Sequence, residues 1–173
     1  MNKIQNKIDR LMARNRADSD KVYESYESNK EGHRIIMHKI GVSNKLIEKK
    51  IKLLPLANKY KLKVTKLNKR RDKINKSTDW GDDLQDGNDG AMLTPEQNKW
   101  VTDMDKIEKL IDKATEQVEL VDSKIEGIDT TVSKLDKEIK KLKDLRKNEV
   151  TKMGAYIKRI EDRNKVIKGL RDE

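Results

Sequence analysis

The strongest structural signal in the chain lies between Met104 and Leu142, where the sequence reads MDKIEKLIDKATEQVELVDSKIEGIDTTVSKLDKEIKKL. Residues at alternating intervals of three and four are all apolar here, while most of the residues between them are charged or polar. Such a heptad repeat places one apolar stripe along a helix and is typical of a coiled coil. We therefore predict a long helix that packs through this stripe against at least one other helix.

The predicted helix extends beyond this stretch in both directions. Upstream, the residues TPEQ (94–97) combine an N-cap threonine, a proline at the first helical position and a glutamine that completes a capping box. Downstream, the register is kept as far as Leu170, and 17 of the 20 a and d positions from Met104 onward are apolar or aromatic. We predict one helix over 95–173, about 110 Å long, that supercoils to the left.

The a and d residues are the predicted interface of this helix. Because many of them are β-branched, they favour three or four strands over a parallel dimer. Arg146 and Glu149 form a polar layer at neighbouring a and d positions, and two interpretations stay open: a partly exposed layer that fixes register, or an ionic latch. The predicted interface residues are Ile111, Val118, Val121, Ile125, Ile128, Val132, Leu135, Ile139, Leu142 and Ile160.

Residues 1–75 predict a second helix with a weaker apolar stripe. Polar residues interrupt the stripe between about 12 and 33. Pro55 removes a backbone hydrogen bond and predicts a kink near 50–55, with a division into two helices as the open alternative. The stripe consists of Ile4, Ile8, Leu11, Val22, Ile36, Ile40, Ile47, Leu54, Ala57, Val64, Leu67 and Ile74.

Charge divides the 173 residues into three segments. Residues 1–75 carry a net charge of +13, residues 76–94 carry −4 and residues 95–173 carry +1. The acidic, glycine-rich segment 76–94 is the predicted connector. Because its 19 residues reach at most about 65 Å when extended, less than the length of either helix, the two helices must be antiparallel neighbours. We therefore predict an all-α fold in which two long helices form an antiparallel coiled-coil hairpin, with association into a multi-helix bundle left open.

A basic patch is the clearest electrostatic feature. Residues 39–73 contain 13 lysines and arginines but only two acidic residues. Two interpretations stay open: an anionic partner, either nucleic acid or an anionic membrane surface, or a solvated face whose lysine stems cover the apolar stripe. The patch comprises Lys49, Lys50, Lys52, Lys59, Lys61, Lys63, Lys66, Lys69, Arg70 and Arg71.

Composition points away from enzyme chemistry. The chain is 42% charged and contains no cysteine, which excludes thiolate metal sites and thiol nucleophiles. His33 and His38 lie about 140° apart around a helix and cannot share a metal as residues four apart could. The acidic turn before Thr94 lacks the ligand spacing of a calcium loop. We predict a non-enzymatic protein with no catalytic residue, no cofactor, no metal and no small-molecule substrate.

The sequence RIEDRNKVIKGL (159–170) resembles the end of a t-SNARE coiled-coil domain. A weaker likeness lies in ESNKEGHR (27–34), and the connector, with WGDD followed by QDG, is similar to the linkers of two-motif, SNAP-type t-SNAREs. The resemblance covers both predicted helices. It implies membrane fusion through a parallel four-helix bundle.

Three functions follow as hypotheses. The first is a structural or assembly protein, such as a stalk, scaffold or chaperone in a larger complex, that binds protein partners through coiled-coil packing as a homo- or hetero-oligomer. The second is a SNARE-like membrane-fusion module, and the third is a sequence-independent binder of nucleic acid or anionic surfaces. Since no apolar run has the length of a signal peptide core or a transmembrane segment, we expect an intracellular protein, either cytoplasmic or particle-associated.

Overall fold

The computed structural model describes residues 2–78, 80 and 92–172. They form two long helices, α1 (Asn2–Lys76) and α2 (Pro95–Arg171). Of the described residues, 96% are helical and none lies in a strand. The two helices pack against each other as a hairpin, which confirms the predicted all-α antiparallel fold. The acidic turn compared with a calcium loop lies largely outside the described residues.

The start of α2 confirms the predicted capping box. The Gln97 backbone N–H donates to Thr94 Oγ1 at 3.2 Å, and the Thr94 backbone N–H donates to Gln97 Oε1 at 2.9 Å. Pro95 occupies the first helical position, where its missing N–H costs nothing. These contacts satisfy backbone groups that the first helical turn leaves without partners.

Pro55 does not end α1, which continues without interruption to Lys76. The side chain of Pro55 is exposed, whereas Leu53 is half-buried and Ala57 is only 3% exposed. Packing on both sides of the proline therefore offsets the lost backbone hydrogen bond. The alternative of two separate helices is not observed.

The hairpin consists of two compact units, each containing part of both helices. Unit 1 comprises Met1–Lys45 and Val132–Glu173, and unit 2 comprises Leu46–Thr131. In unit 2, Trp100, Met104 and Ile107 form a buried cluster against which Leu67 and Ile74 of α1 pack. Trp80, from the connector, packs against the same cluster. Ala114 is completely buried, as expected where two helix backbones approach closely.

The covered positions of α2 follow the heptad repeat throughout. Every a and d position from Met104 to Leu170, including all ten predicted interface residues, is buried or half-buried. In α1 the covered positions also recur at alternating intervals of three and four, from Ile8 to Ile74. The repeat continues through the polar region 12–33, where Asn15, Asp18 and Asn29 occupy it.

Three members of the predicted α1 stripe are not part of the covered set. Ile47 is 40% exposed and Leu54 is 42% exposed, because each follows directly after the residue that faces α2, Leu46 or Leu53. Ile4, in the first turns of α1, is 43% exposed. The apolar pattern of α1 did not reveal the repeat of its covered positions. Polar residues occupy several of these positions, and apolar residues occupy exposed positions next to them.

Candidate functional site

A partly buried polar cluster joins the two helices of unit 1 around Arg163. Its guanidinium donates from Nη2 to Asp18 Oδ2 at 2.6 Å and from Nη1 to Asn15 Oδ1 at 3.1 Å. Asn15 in turn donates from Nδ2 to Asn164 Oδ1 at 2.8 Å. Asp18 is 6% exposed, so this carboxylate is buried with its charge paired and hydrogen-bonded. Arg163 thereby occupies a predicted d position without leaving an unpaired charge.

The hydrogen bond from Arg163 and its positive charge lower the pKa of Asp18 below the ordinary value, against an opposing effect of burial. The unfolded chain therefore takes up this proton more readily than the folded protein. The stabilising contribution is complete above a pH of about 4, the ordinary range of an aspartate, and is lost as the pH falls below it.

Replacing Asp18 with asparagine is expected to remove part of the acid sensitivity of folding. Urea unfolding at pH 7 and pH 3 should show a smaller drop in unfolding free energy for Asp18→Asn than for the wild type. The matched control is Asp20→Asn, because Asp20 is exposed and makes no ion pair in the described structure. Identical pH dependence in all three proteins would contradict the assigned role of Asp18.

Arg146 forms a second polar contact between the helices of unit 1. Its Nε donates to Asn29 Oδ1, and its Nη1 lies 3.0 Å from Nδ1 of His33. Because arginine has no acceptor, the guanidinium can only donate in this contact. Glu149 instead accepts from Lys152 of its own helix at 3.2 Å. The predicted polar layer therefore pairs Arg146 with α1, and no ion pair links Arg146 to Glu149 in the described structure.

Three further ion pairs cross between the helices. Lys39 Nζ lies 2.7 Å from Glu138 Oε2 in unit 1, and its hydrogen bond lowers the pKa of Glu138. In unit 2, Lys50 Nζ lies 2.6 Å from Asp129 Oδ1, and Lys61 Nζ lies 2.8 Å from Asp122 Oδ2. Each such pair is stable in only one alignment of α1 and α2, so together they select the register of the hairpin.

The structure divides the predicted basic patch into two groups. Lys50, Lys61 and Arg71 are held in ion pairs, the last with Asp72 of the same helix. The other members are exposed and form no ion pair among the described residues: Lys49, Lys52, Lys59, Lys63, Lys66, Lys69 and Arg70. The exposed group is therefore the part of the patch that can bind a partner.

Most of these exposed cations lie on one edge of α1 in unit 2. The covered residues Lys50, Ala57, Val64 and Arg71 define the a positions of α1 in this unit, and Leu53, Tyr60, Leu67 and Ile74 define its d positions. The g and c positions between 49 and 73 then hold seven cations in eight places, and the eighth is the half-buried Leu56. Three of the lysines border a groove of about 830 Å³ that also includes Gln117 of α2. We call this set the basic edge: Lys49, Lys52, Lys59, Lys63, Lys66, Arg70 and Lys73.

A matching set of carboxylates runs along α2 of the same unit. The b and e positions between 105 and 129 hold seven acids in eight places, and the eighth is Thr115. Only Asp122 and Asp129 contact a cation of α1 in the described structure. We call this set the acidic edge: Asp105, Glu108, Asp112, Glu119, Asp122, Glu126 and Asp129.

The two edges lie on opposite sides of the hairpin in unit 2. The ion pair of Lys61 with Asp122 joins the e position of α1 to the e position of α2, which places the acidic edge on that side. Gln117 occupies a g position of α2 and shares the groove with Lys63, at a g position of α1. The g and e positions flank the covered seam from opposite sides. The basic and acidic edges therefore cannot neutralise each other within unit 2.

Comparison of the chain with known protein families, curated proteins and solved structures finds no match. The resemblance of residues 159–170 to a t-SNARE domain therefore remains a hypothesis supported by the sequence motif. No helix in the described part of the chain combines the length and apolarity needed to cross a membrane. The polar contacts described above are suited to holding α1 and α2 in register, and the exposed charged edges are suited to binding.

Proposed function

We propose that this chain is a non-enzymatic structural protein that assembles with further helices through the outer surface of its hairpin. The supporting observation is the number of apolar side chains that the contact between the two helices leaves exposed. Within the described residues, 18 large apolar or tyrosine side chains are exposed. Two helices have too little mutual surface to cover them, and exposed apolar surface of this kind marks protein contacts.

The exposed apolar residues are concentrated enough in places to form contacts. In unit 2, Ile47, Ile51 and Leu54 lie at successive e and b positions of α1, with 40%, 60% and 42% of their surface exposed. Such a second stripe beside the covered one is a feature of helices that contact more than one neighbour. Coiled-coil packing with a further helix would bury it.

Sedimentation measurements test the proposed assembly. The wild type is expected to show an average mass above the 20.2 kDa of one chain, rising with concentration. Replacing Ile47, Ile51 and Leu54 together with serine should weaken association at least tenfold, because about 0.8 kcal/mol is lost per buried methylene group. The double variant Ala17→Ser and Ser28→Asn, at exposed positions of α1 outside this stripe, should associate like the wild type. A mass of 20.2 kDa at every concentration would refute the proposal.

The other two functions remain hypotheses on separate grounds. Membrane fusion rests on the sequence motif at 159–170. Binding of nucleic acid or an anionic surface rests on the exposed basic edge. Charge reversal on that edge, with duplex DNA as the probe, tests it.

A further inference from the structure

We infer that copies of this chain stack side to side through unit 2, with the basic edge of one copy against the acidic edge of the next. The inference rests on the proposed assembly function and specifies its partner, a second copy of the same chain. Three features of the two edges support it: their equal length, their opposite charges, and the exposed apolar residues beside them.

The edges match in length and repeat. Each spans 25 residues of helix, from Lys49 to Lys73 and from Asp105 to Asp129, and the end residues are about 36 Å apart at a rise of 1.5 Å per residue. In both, seven of the eight heptad positions carry the charge, so charged residues follow one another at intervals of three and four, and the pattern repeats every seven residues, or about 10.5 Å. Two helices laid side by side with this common repeat bring all but one of the cations near a carboxylate, because Thr115 interrupts the acidic edge.

The charges are available for such a contact. None of the seven cations forms an ion pair in the described structure, and five of the seven acids are likewise unpaired there. Because the edges lie on opposite sides of unit 2, one copy can present both at the same time. Like charges on each edge repel one another in the isolated chain, and an opposite edge relieves that repulsion.

Exposed apolar residues lie beside both edges and would be buried in the contact. By heptad position, Leu110 and Leu120 of α2 lie on the side of the basic edge, with 46% and 58% of their surface exposed. Ile47 and Ile51 of α1 lie on the side of the acidic edge. A contact made of charges alone would be weak in solvent, whereas charged rims around apolar side chains are the arrangement of stable helix interfaces.

The contact joins two different surfaces, so it is heterologous. A copy bound through its basic edge keeps its acidic edge free for another copy, and association continues unless the chain of copies closes into a ring. The structure therefore predicts assembly beyond the dimer, with an affinity that falls at high salt because the charges are exposed.

Charge reversal on each edge separately tests this arrangement. The basic-edge variant carries Lys59→Glu, Lys63→Glu and Lys66→Glu, and the acidic-edge variant carries Asp112→Lys, Glu119→Lys and Glu126→Lys. None of these residues makes an ion pair in the described structure. Each variant alone should associate at least tenfold more weakly than the wild type in sedimentation measurements, and an equimolar mixture should restore association. Since the variants have net charges of +4 and +16, overall attraction cannot produce this rescue.

A third variant controls for the change in charge. Lys137→Glu, Lys140→Glu and Lys147→Glu alter three exposed positions of unit 1 by the same amount and should leave association unchanged. Circular dichroism verifies that all variants remain helical. If reversal unfolds one of them, the corresponding glutamine substitutions at the same positions should still weaken association.

The possible failures are distinguishable. If the wild type associates but the edge variants associate equally well, or their mixture shows no rescue, the stacking inference is overturned while the proposed function stands. If the wild type remains a single chain at every concentration, the proposed function fails as well. If the wild type remains a single chain, and binds duplex DNA in a way that the basic-edge variant does not, the basic edge binds phosphates and the inference is overturned.

Discussion

Replacing Ile107 with aspartate is expected to lower the free energy of unfolding by about 3–5 kcal/mol. Ile107 is 3% exposed and belongs to the buried cluster with Trp100 and Met104. The substitution removes the apolar contacts of the isoleucine side chain and places a carboxylate where no cation lies in the described cluster. Urea unfolding followed by circular dichroism measures the loss directly.

Leu110→Asp is the matched control for this substitution. Leu110 lies one turn further along α2 and is 46% exposed, so the new carboxylate remains in water. Measured at a concentration where the chain is not assembled, it should cost about 1 kcal/mol or less. Comparable losses for the two variants would mean that the seam of α2 does not face α1 at Ile107.

Removal of the Trp100 side chain is expected to cost about 3–5 kcal/mol. Trp100 is 9% exposed, and its indole Nε1 donates a hydrogen bond to the Ile74 carbonyl oxygen at 3.3 Å. This residue therefore joins the beginning of α2 to the end of α1 by packing and by one hydrogen bond. Trp100→Ala loses both contributions, and thermal or urea unfolding should show the loss.

Two further variants separate the two contributions. Trp100→Phe retains most of the packing but removes the indole donor, so its cost should be about 1–2 kcal/mol. Trp80→Ala should cost less than Trp100→Ala because Trp80 is only half-buried against the same cluster. If the two alanine variants were equally stable, Trp100 would not be the main link between the helix ends.

The contrast between α1 and α2 shows which structural features can be predicted from sequence. In α2, apolar residues occupy nearly every covered position, and the predicted register agrees with the burial of Ile128 and Ile139. In α1, polar residues such as Asn15 and Asp18 occupy covered positions, so the apolar pattern alone placed exposed residues such as Ile47 in the stripe. The alternating spacing of three and four was present in both helices.

The candidate surfaces were also only partly predictable. The sequence predicts a basic patch between residues 39 and 73 but does not divide it, since Lys50 and Lys61 differ from Lys59 and Lys63 only in their position around the helix. Their ion pairs with Asp129 and Asp122 depend on which part of α2 lies opposite. Arg146 and Glu149 were visible as interruptions of the seam, whereas the partner of Arg146, Asn29, and the pairing of Arg163 with Asp18 were not.

The sequence by itself determined the helical class, the start of α2 at Pro95 and the heptad register of its seam. These features depend on interactions within a few residues, such as the capping box at Thr94 and the repeat that aligns one face of a helix. Tertiary structure alone decided that α1 passes through Pro55 and that Asp18 lies against Arg163. It also decided that the basic and acidic edges lie on opposite sides of unit 2. The physical reason is that each of these outcomes depends on contacts between residues far apart in the chain, which local propensities do not specify.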